Sequence, residues 1–138
     1  MITGAVVHPD LVADYLNTTP ESADTAGAYY EQGQGNIRGT LWEQREAYLA
    51  NSPIFHFDQI ETLVLIGQGS KDGNLTPSDA TFAALKRLHK IAEYRIYKDE
   101  GHVLANPANI LDFWRRRLSF LAEHLNLAVD TQGALIVR

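Results

Sequence analysis

Two side chains in this sequence are of the types that share acid–base work. Asp72 stands in the polar, glycine-rich stretch Gly67-Gln68-Gly69-Ser70-Lys71-Asp72-Gly73, and His102 follows Glu100-Gly101 at the end of an apolar segment. A carboxylate that accepts from imidazole Nδ1 fixes the tautomer, so that Nε2 faces a hydroxyl or a water as a base. Histidine suits this task because its ordinary pKa, roughly 6.5, lies close to neutrality. Gly101 is expected to let the backbone turn tightly and leave the ring accessible. An Asp and a His in loops are common, so the pair alone leaves a purely structural reading open.

The elements that must position the pair can be read from periodicity. Ile2 to Val7 reads as a short buried strand ending in a turn at His8-Pro9-Asp10. Glu21 to Gly39, with glycine at 27, 33, 35 and 39, reads as a long irregular excursion. Thr40 with Glu43 matches a capping box, predicting a helix from about Leu41 to Ala50 that Asn51-Ser52-Pro53 ends. Thr62 to Ile66 is apolar on both faces, the pattern of a central parallel strand, and the stretch from Gly67 to Gly73 then reads as a loop. Thr76 is the expected N-cap of the next helix, with Pro77 in its first position and a buried stripe of Phe82, Leu85, Leu88 and Ala92. Tyr94 to Tyr97 is the third strand. Asn106-Pro107 opens a last helix, whose stripe is Leu111, Trp114, Leu118, Leu121 and Leu125.

Alternation of strand and helix implies an α/β fold of about three parallel strands joined by right-handed crossovers. In such sheets active groups collect in loops at the C-terminal strand ends, where both Asp72 and His102 fall. Residues 126–138 stand apart as a tail, with a turn signal at Asp130-Thr131-Gln132-Gly133 and a hairpin as the natural expectation.

Composition sets outer bounds. The 138 residues are 45% hydrophobic, enough apolar material for one globular domain. A net charge of -5 offers no general attraction for nucleic acid or anionic lipid, and the run Arg115-Arg116-Arg117 reads as a solvated helix face. Without cysteine there is no disulfide, thiolate metal site or cysteine nucleophile. The longest apolar run, Leu63 to Ile66, is too short for a bilayer, and the N-terminus lacks a signal-peptide pattern, so a cytoplasmic location is expected.

Taken in order, several of these pieces resemble the C-terminal part of the catalytic domain of the prolyl oligopeptidase family of serine peptidases, and most of all its dipeptidyl aminopeptidase and acylaminoacyl peptidase branch. They are Ser52-Pro53 before the central strand, Gly69-x-x-Asp72 after it, the "AALKRLHK" helix, Glu100-Gly101-His102 and the final helix with Trp114. The resemblance covers about residues 2 to 125 and implies the C-terminal half of an α/β-hydrolase fold, with Asp72 and His102 as the acid and base of a catalytic triad. It implies no cofactor, and a peptide or acyl substrate. One departure is Gln68-Gly69, where the family tends to carry His-Gly.

The family's nucleophile is a serine in a Gly-x-Ser-x-Gly elbow, before the Asp and the His in chain order. None of the serines at 22, 52, 70, 78 and 119 has glycine two residues to either side. The expectation is a partial catalytic domain that begins just after the elbow and has little or no activity alone. Ser70, on the same loop as Asp72, is expected to brace that loop rather than replace the elbow. The first strand, Ile2 to Val7, should then offer an edge to a homo-oligomer or partner chain. The alternative is a non-catalytic binding or assembly module using the 21–39 excursion and Trp42. A receiver-type phosphorylation domain lacks its early acidic cluster, and the glycines at 33, 35 and 39 do not fit a dinucleotide fingerprint. His8 with Asp10 and Asp14 reads as a capped turn before a metal site. His56 and His89 read as packing or solvated residues, and His124 as a helix C-terminal charge.

Overall fold

The computed structural model describes residues 2–4, 8–17, 27–73, 75–125, 128, 130 and 136. They fall into two compact units, one of Met1–Val6 with Glu61–Arg138 and one of Val7–Ile60.

The first unit is built on a three-stranded parallel sheet of β1 (Ile2–Gly4), β2 (Val64–Gly69) and β3 (Ala92–Tyr97), in that spatial order. Among the described residues two helices belong to it, α4 (Thr76–Arg87) and α5 (Pro107–Leu125). β2 is the central strand, and Val64, Leu65 and Ile66 are buried in succession because both faces are covered. Burying each such aliphatic side chain is worth roughly 1.5–3 kcal/mol. The two helices take opposite faces. Phe82 of α4 packs on Tyr94 at 5.7 Å between ring centroids, Phe113 of α5 packs on Tyr97 at 5.6 Å, and residues three apart on a strand point to opposite sides.

Several boundaries differ from the sequence expectation for identifiable reasons. β2 runs on through Gly67-Gln68-Gly69 instead of stopping at Ile66. These glycines mark close approach rather than a loop: a Cβ on Gly67 would stand 2.5 Å from the Phe113 ring, so its absence lets α5 settle on the strand. Thr76 is the first helical residue of α4 and not its cap; Leu75 holds that position without a side-chain cap bond. α4 ends at Arg87, and Ala92 belongs to β3. His89, at φ 55°, forms the left-handed exit, its N–H donating to Lys86 O at 3.1 Å and the Lys90 N–H to Leu85 O at 2.9 Å, a Schellman closure made without glycine.

On α5 the expected stripe is buried only in part, at Leu118 and Leu121. Phe113 and Phe120 face inward, Phe120 buried, while Leu111, Trp114 and Leu125 of the expected stripe are about half exposed. Of the arginine run, Arg116 pairs with Asp112 at 2.7 Å and Arg117 lies over the Trp114 ring at 4.9 Å. Of the tail only Ala128, Asp130 and Ile136 are described; the Ile136 N–H donates to Ala128 O at 2.8 Å, and the hairpin expectation otherwise lies outside the described residues, as do residues 5–7 of the first expected strand.

The second unit holds α1 (Leu11–Leu16), α2 (Ala28–Glu31), α3 (Arg45–Ala50) and a 3-10 helix (Pro53–Gln59). Asp10 caps α1, accepting from the Val12 and Ala13 N–H groups at 3.0 and 3.1 Å, worth about 1 kcal/mol. The capping box at Thr40 and Glu43 forms in both directions, at 2.9 and 3.3 Å, but turns precede the regular helix, which starts at Arg45 and not Leu41. The 27–39 stretch of the excursion is ordered by α2 and by Tyr30, which joins Tyr15, Leu41 and Tyr48 in a buried cluster. Burial and the neighbouring Glu31 carboxylate push the Tyr15 hydroxyl up to about 12. Ser52 is fully buried, accepting from the Leu11 N–H at 2.9 Å and donating to Tyr48 O at 2.7 Å.

Candidate functional site

The ends of β2 and β3 lie side by side, since Gly69 pairs with Tyr97, and the chain leaves both in the same direction. The segment after β2 carries Asp72; the segment after β3 carries His102. Three backbone features lock the two together. The Ser70 N–H donates to Tyr97 O at 2.9 Å, the Lys71 N–H donates to Glu100 O at 2.8 Å, and Ser70 Oγ accepts from the Asp99 N–H at 2.8 Å. Ser70 is thus a brace between the segments, in the role its loop position implied. An exposed Lys71–Asp99 pair at 3.0 Å adds at most about 1 kcal/mol.

Glycine is required at position 69, where a Cβ would run into the carbonyl groups of Glu100 and Gly101. Gly101 itself does not do what its type suggested. It has no left-handed φ, and a Cβ there would meet open space; the left-handed residue of the turn is Asp99, at φ 64°. An aspartate tolerates that conformation better than most side chains, which is why the turn leaves no glycine signature.

The structure brings Asp72 and His102 together: His102 Nδ1 lies 2.9 Å from Asp72 Oδ1. With Nδ1 protonated the ring donates to Asp72 and Nε2 is left as an acceptor. The acid is sheltered, with 15% of its side chain exposed, and the imidazole projects with 75% exposed. This is the geometry of an oriented base with one nitrogen held and the other presented.

Glu100 is the residue whose part in the site its type and spacing did not disclose. Its side chain turns back beneath the His102 segment and accepts from the Ala105 N–H at 2.6 Å, the Asn106 N–H at 3.0 Å and Asn109 Nδ2 at 2.7 Å. Those donors, the Ala105 amide foremost, hold its carboxyl below the usual range. Beneath the site, Tyr97 donates to Asp112 Oδ2 at 2.8 Å; burial and that carboxylate push the phenol up to about 12, while Arg116 holds the Asp112 carboxyl down.

Elsewhere, His8 Nδ1 pairs with Asp14 Oδ2 at 2.9 Å, but Asp10 is committed to its cap, and among the described residues no group of three His, Asp or Glu is placed to hold a metal ion. No helix of the described residues is long and apolar enough to cross a membrane.

The parallel sheet between α4 and α5 is part of an α/β-hydrolase fold, and solved structures share it. A puromycin-hydrolyzing peptidase of Mycobacterium tuberculosis superposes with a TM-score of 0.66 at 20% identity, over 88% of this chain and 18% of that one. Dipeptidyl peptidase 4 of Porphyromonas gingivalis gives 0.56 at 24%, over 61% and 12%. The sequence model of the prolyl oligopeptidase family matches residues 5–128, and the chain belongs to that family of serine peptidases. Among its relatives, dipeptidyl aminopeptidase BIII of Pseudoxanthomonas mexicana is 28% identical across 93% of this chain and 19% of its own length. Dipeptidyl peptidase family member 6 of Caenorhabditis elegans is 33% identical over 72 residues, 51% of this chain and 10% of that protein. The chain therefore spans a fifth or less of the relatives it matches.

Proposed function

We propose that these residues form the acid-and-base portion of a serine-peptidase site, with Asp72 orienting His102 toward a serine that lies outside the 138 residues. The observation that carries this reading is the 2.9 Å contact between a sheltered carboxylate and an outward-facing imidazole at adjacent parallel strand ends. Substrates of the completed site are peptides or related acyl compounds. Without a nucleophile elbow and its oxyanion amides the 138 residues by themselves retain little or no activity, because the largest electrostatic contribution to the rate is lacking. In this reading β1, which pairs with β2 on one side and with nothing on the other among the described residues, takes a further strand there from the same or another chain.

A fluorophosphonate probe tests this on the protein isolated from its native cells, with whatever is joined to it or co-purifies. The expected result is one adduct, on a serine in a Gly-x-Ser-x-Gly sequence outside these residues, lost in His102→Ala. Absence of any adduct, or labelling indifferent to His102→Ala, would overturn the proposal. Absence of any adduct would favour the non-catalytic binding module, for which the observation is Trp42, 74% exposed and held edge-on to Tyr15 at 5.9 Å.

A further inference from the structure

Glu100 is 4% exposed, yet it is a carboxylate, and a buried charge persists only where donors surround it. Three do, and their positions are informative. The Ala105 and Asn106 amides lie just past His102, so accepting from both closes the segment 100–106 into a compact loop with His102 at its outer side. Asn109 stands in the first turns of α5, so the third bond fastens that loop to the helix. The main chain of the same residue faces the other way: its carbonyl receives the Lys71 N–H at 2.8 Å, and Gly69 leaves the room it needs. One residue is thus bonded to both the segment bearing Asp72 and the loop bearing His102.

The geometry points to Glu100 as the positioning residue of the Asp72–His102 pair, its carboxylate setting the distance and tilt at which the imidazole meets Asp72. This rests on the reading of that pair given above. Glu100 makes no hydrogen bond to the ring, and it acts only through the loop. A carboxylate fits where an amide would not, because all three neighbours are donors and only an acceptor without N–H satisfies them together.

The test is the tautomer of His102, read from long-range nitrogen–proton spectra of the full chain labelled at histidine, at a pH alkaline enough for neutral rings. In the unaltered protein the Nδ1–H form is expected to dominate at His102. Glu100→Gln keeps the volume but turns an N–H₂ toward one of the three donors. It is expected to lower the Nδ1–H to Nε2–H ratio about fivefold, the weight of one ordinary hydrogen bond. Asp72→Asn serves as the reference and should abolish the preference.

If Glu100→Gln keeps the native ratio while Asp72→Asn loses it, the positioning role is refuted and the pair stands. If neither variant changes the ratio, the pairing itself is refuted, and the positioning role with it. Should Glu100→Gln fail to fold, Asn109→Ala decides. It removes a single donor from Glu100, and a folded Asn109→Ala protein with an unchanged ratio overturns the inference, whereas a lowered ratio supports it.

Discussion

Replacing Gly69 by alanine tests whether the two segments of the site are held by direct backbone contact. A Cβ at this position would stand 2.5 Å from the Glu100 carbonyl carbon and closer still to the Glu100 and Gly101 oxygens. Ordinary contact begins near 3.4 Å, and backbone, unlike a side chain, has no rotamer to escape into. The ends of β2 and β3 would have to part by about 1 Å, and overpacking of this kind costs roughly 1–3 kcal/mol. The same displacement stretches the 2.8 Å Lys71–Glu100 and Ser70–Asp99 bonds past useful length, adding about 1 kcal/mol for each. A total of about 3–5 kcal/mol corresponds to roughly 10–17 °C in Tm for a chain of this size. Gly101→Ala is the matched control, since its Cβ meets nothing within 4 Å and should shift stability by no more than about 0.5 kcal/mol. Thermal melts followed by circular dichroism compare the two. A Gly69→Ala protein melting within a degree or two of the parent would refute the argument, and so would equal losses in both variants.

Two further outcomes follow from hydrogen-bonded polar groups. Ser52→Ala strands the Leu11 N–H and takes a donor from Tyr48 O inside the second unit, so chemical denaturation should show a loss of roughly 1–3 kcal/mol with an unchanged slope. Glu43, Glu100 and Asp112 have carboxyls held below their ordinary values of 4.5, 4.5 and 3.8, by Thr40, by the Ala105 amide and by Arg116 in turn. Their stabilisation is present above those ordinary values and is lost as pH falls through the depressed ones. Tyr15 and Tyr97, raised from 10.0 to about 12, contribute below pH 10 and lose that contribution as pH rises through 12. The denaturation midpoint should therefore be flat between these limits and fall on either side, with a shallower acid limb in Asp112→Asn; an acid limb unaltered by that change would count against the assignment.

The sequence discloses what depends on residue type repeated at a period. The apolar run ending in Ile66 showed the central strand because Val64, Leu65 and Ile66 are buried in succession, and alternation with helices showed the parallel sheet. Periodicity fails where two answers share a period. On α5 the row Leu111–Trp114–Leu118 and the row Phe113–Phe120 are both apolar, and only packing against Gly67 and Tyr97 selects the second. It fails too where a short element is held by one or two side-chain contacts: α1 depends on the Asp10 cap and on Ser52, which is forty-one residues from Leu11. Composition misled at Gly67 and Gly69, where glycine reports close approach instead of a loop.

The candidate site shows the same division. Asp72 and His102 were legible because each follows a strand of one parallel sheet, and parallel neighbours bring their C-terminal ends together about 4.8 Å apart. Strand adjacency supplies proximity, but it does not supply a 2.9 Å hydrogen bond. That last step comes from groups whose types carry no chemical flag: Gly69 admitting a backbone, Ser70 bridging to Asp99, and a glutamate folded under the loop. All three act through main-chain amides or carbonyls, which every residue possesses and no spacing rule can single out. The carboxylate and the imidazole are therefore the readable part of the arrangement, while their alignment is a property of the backbone that only the folded chain reveals.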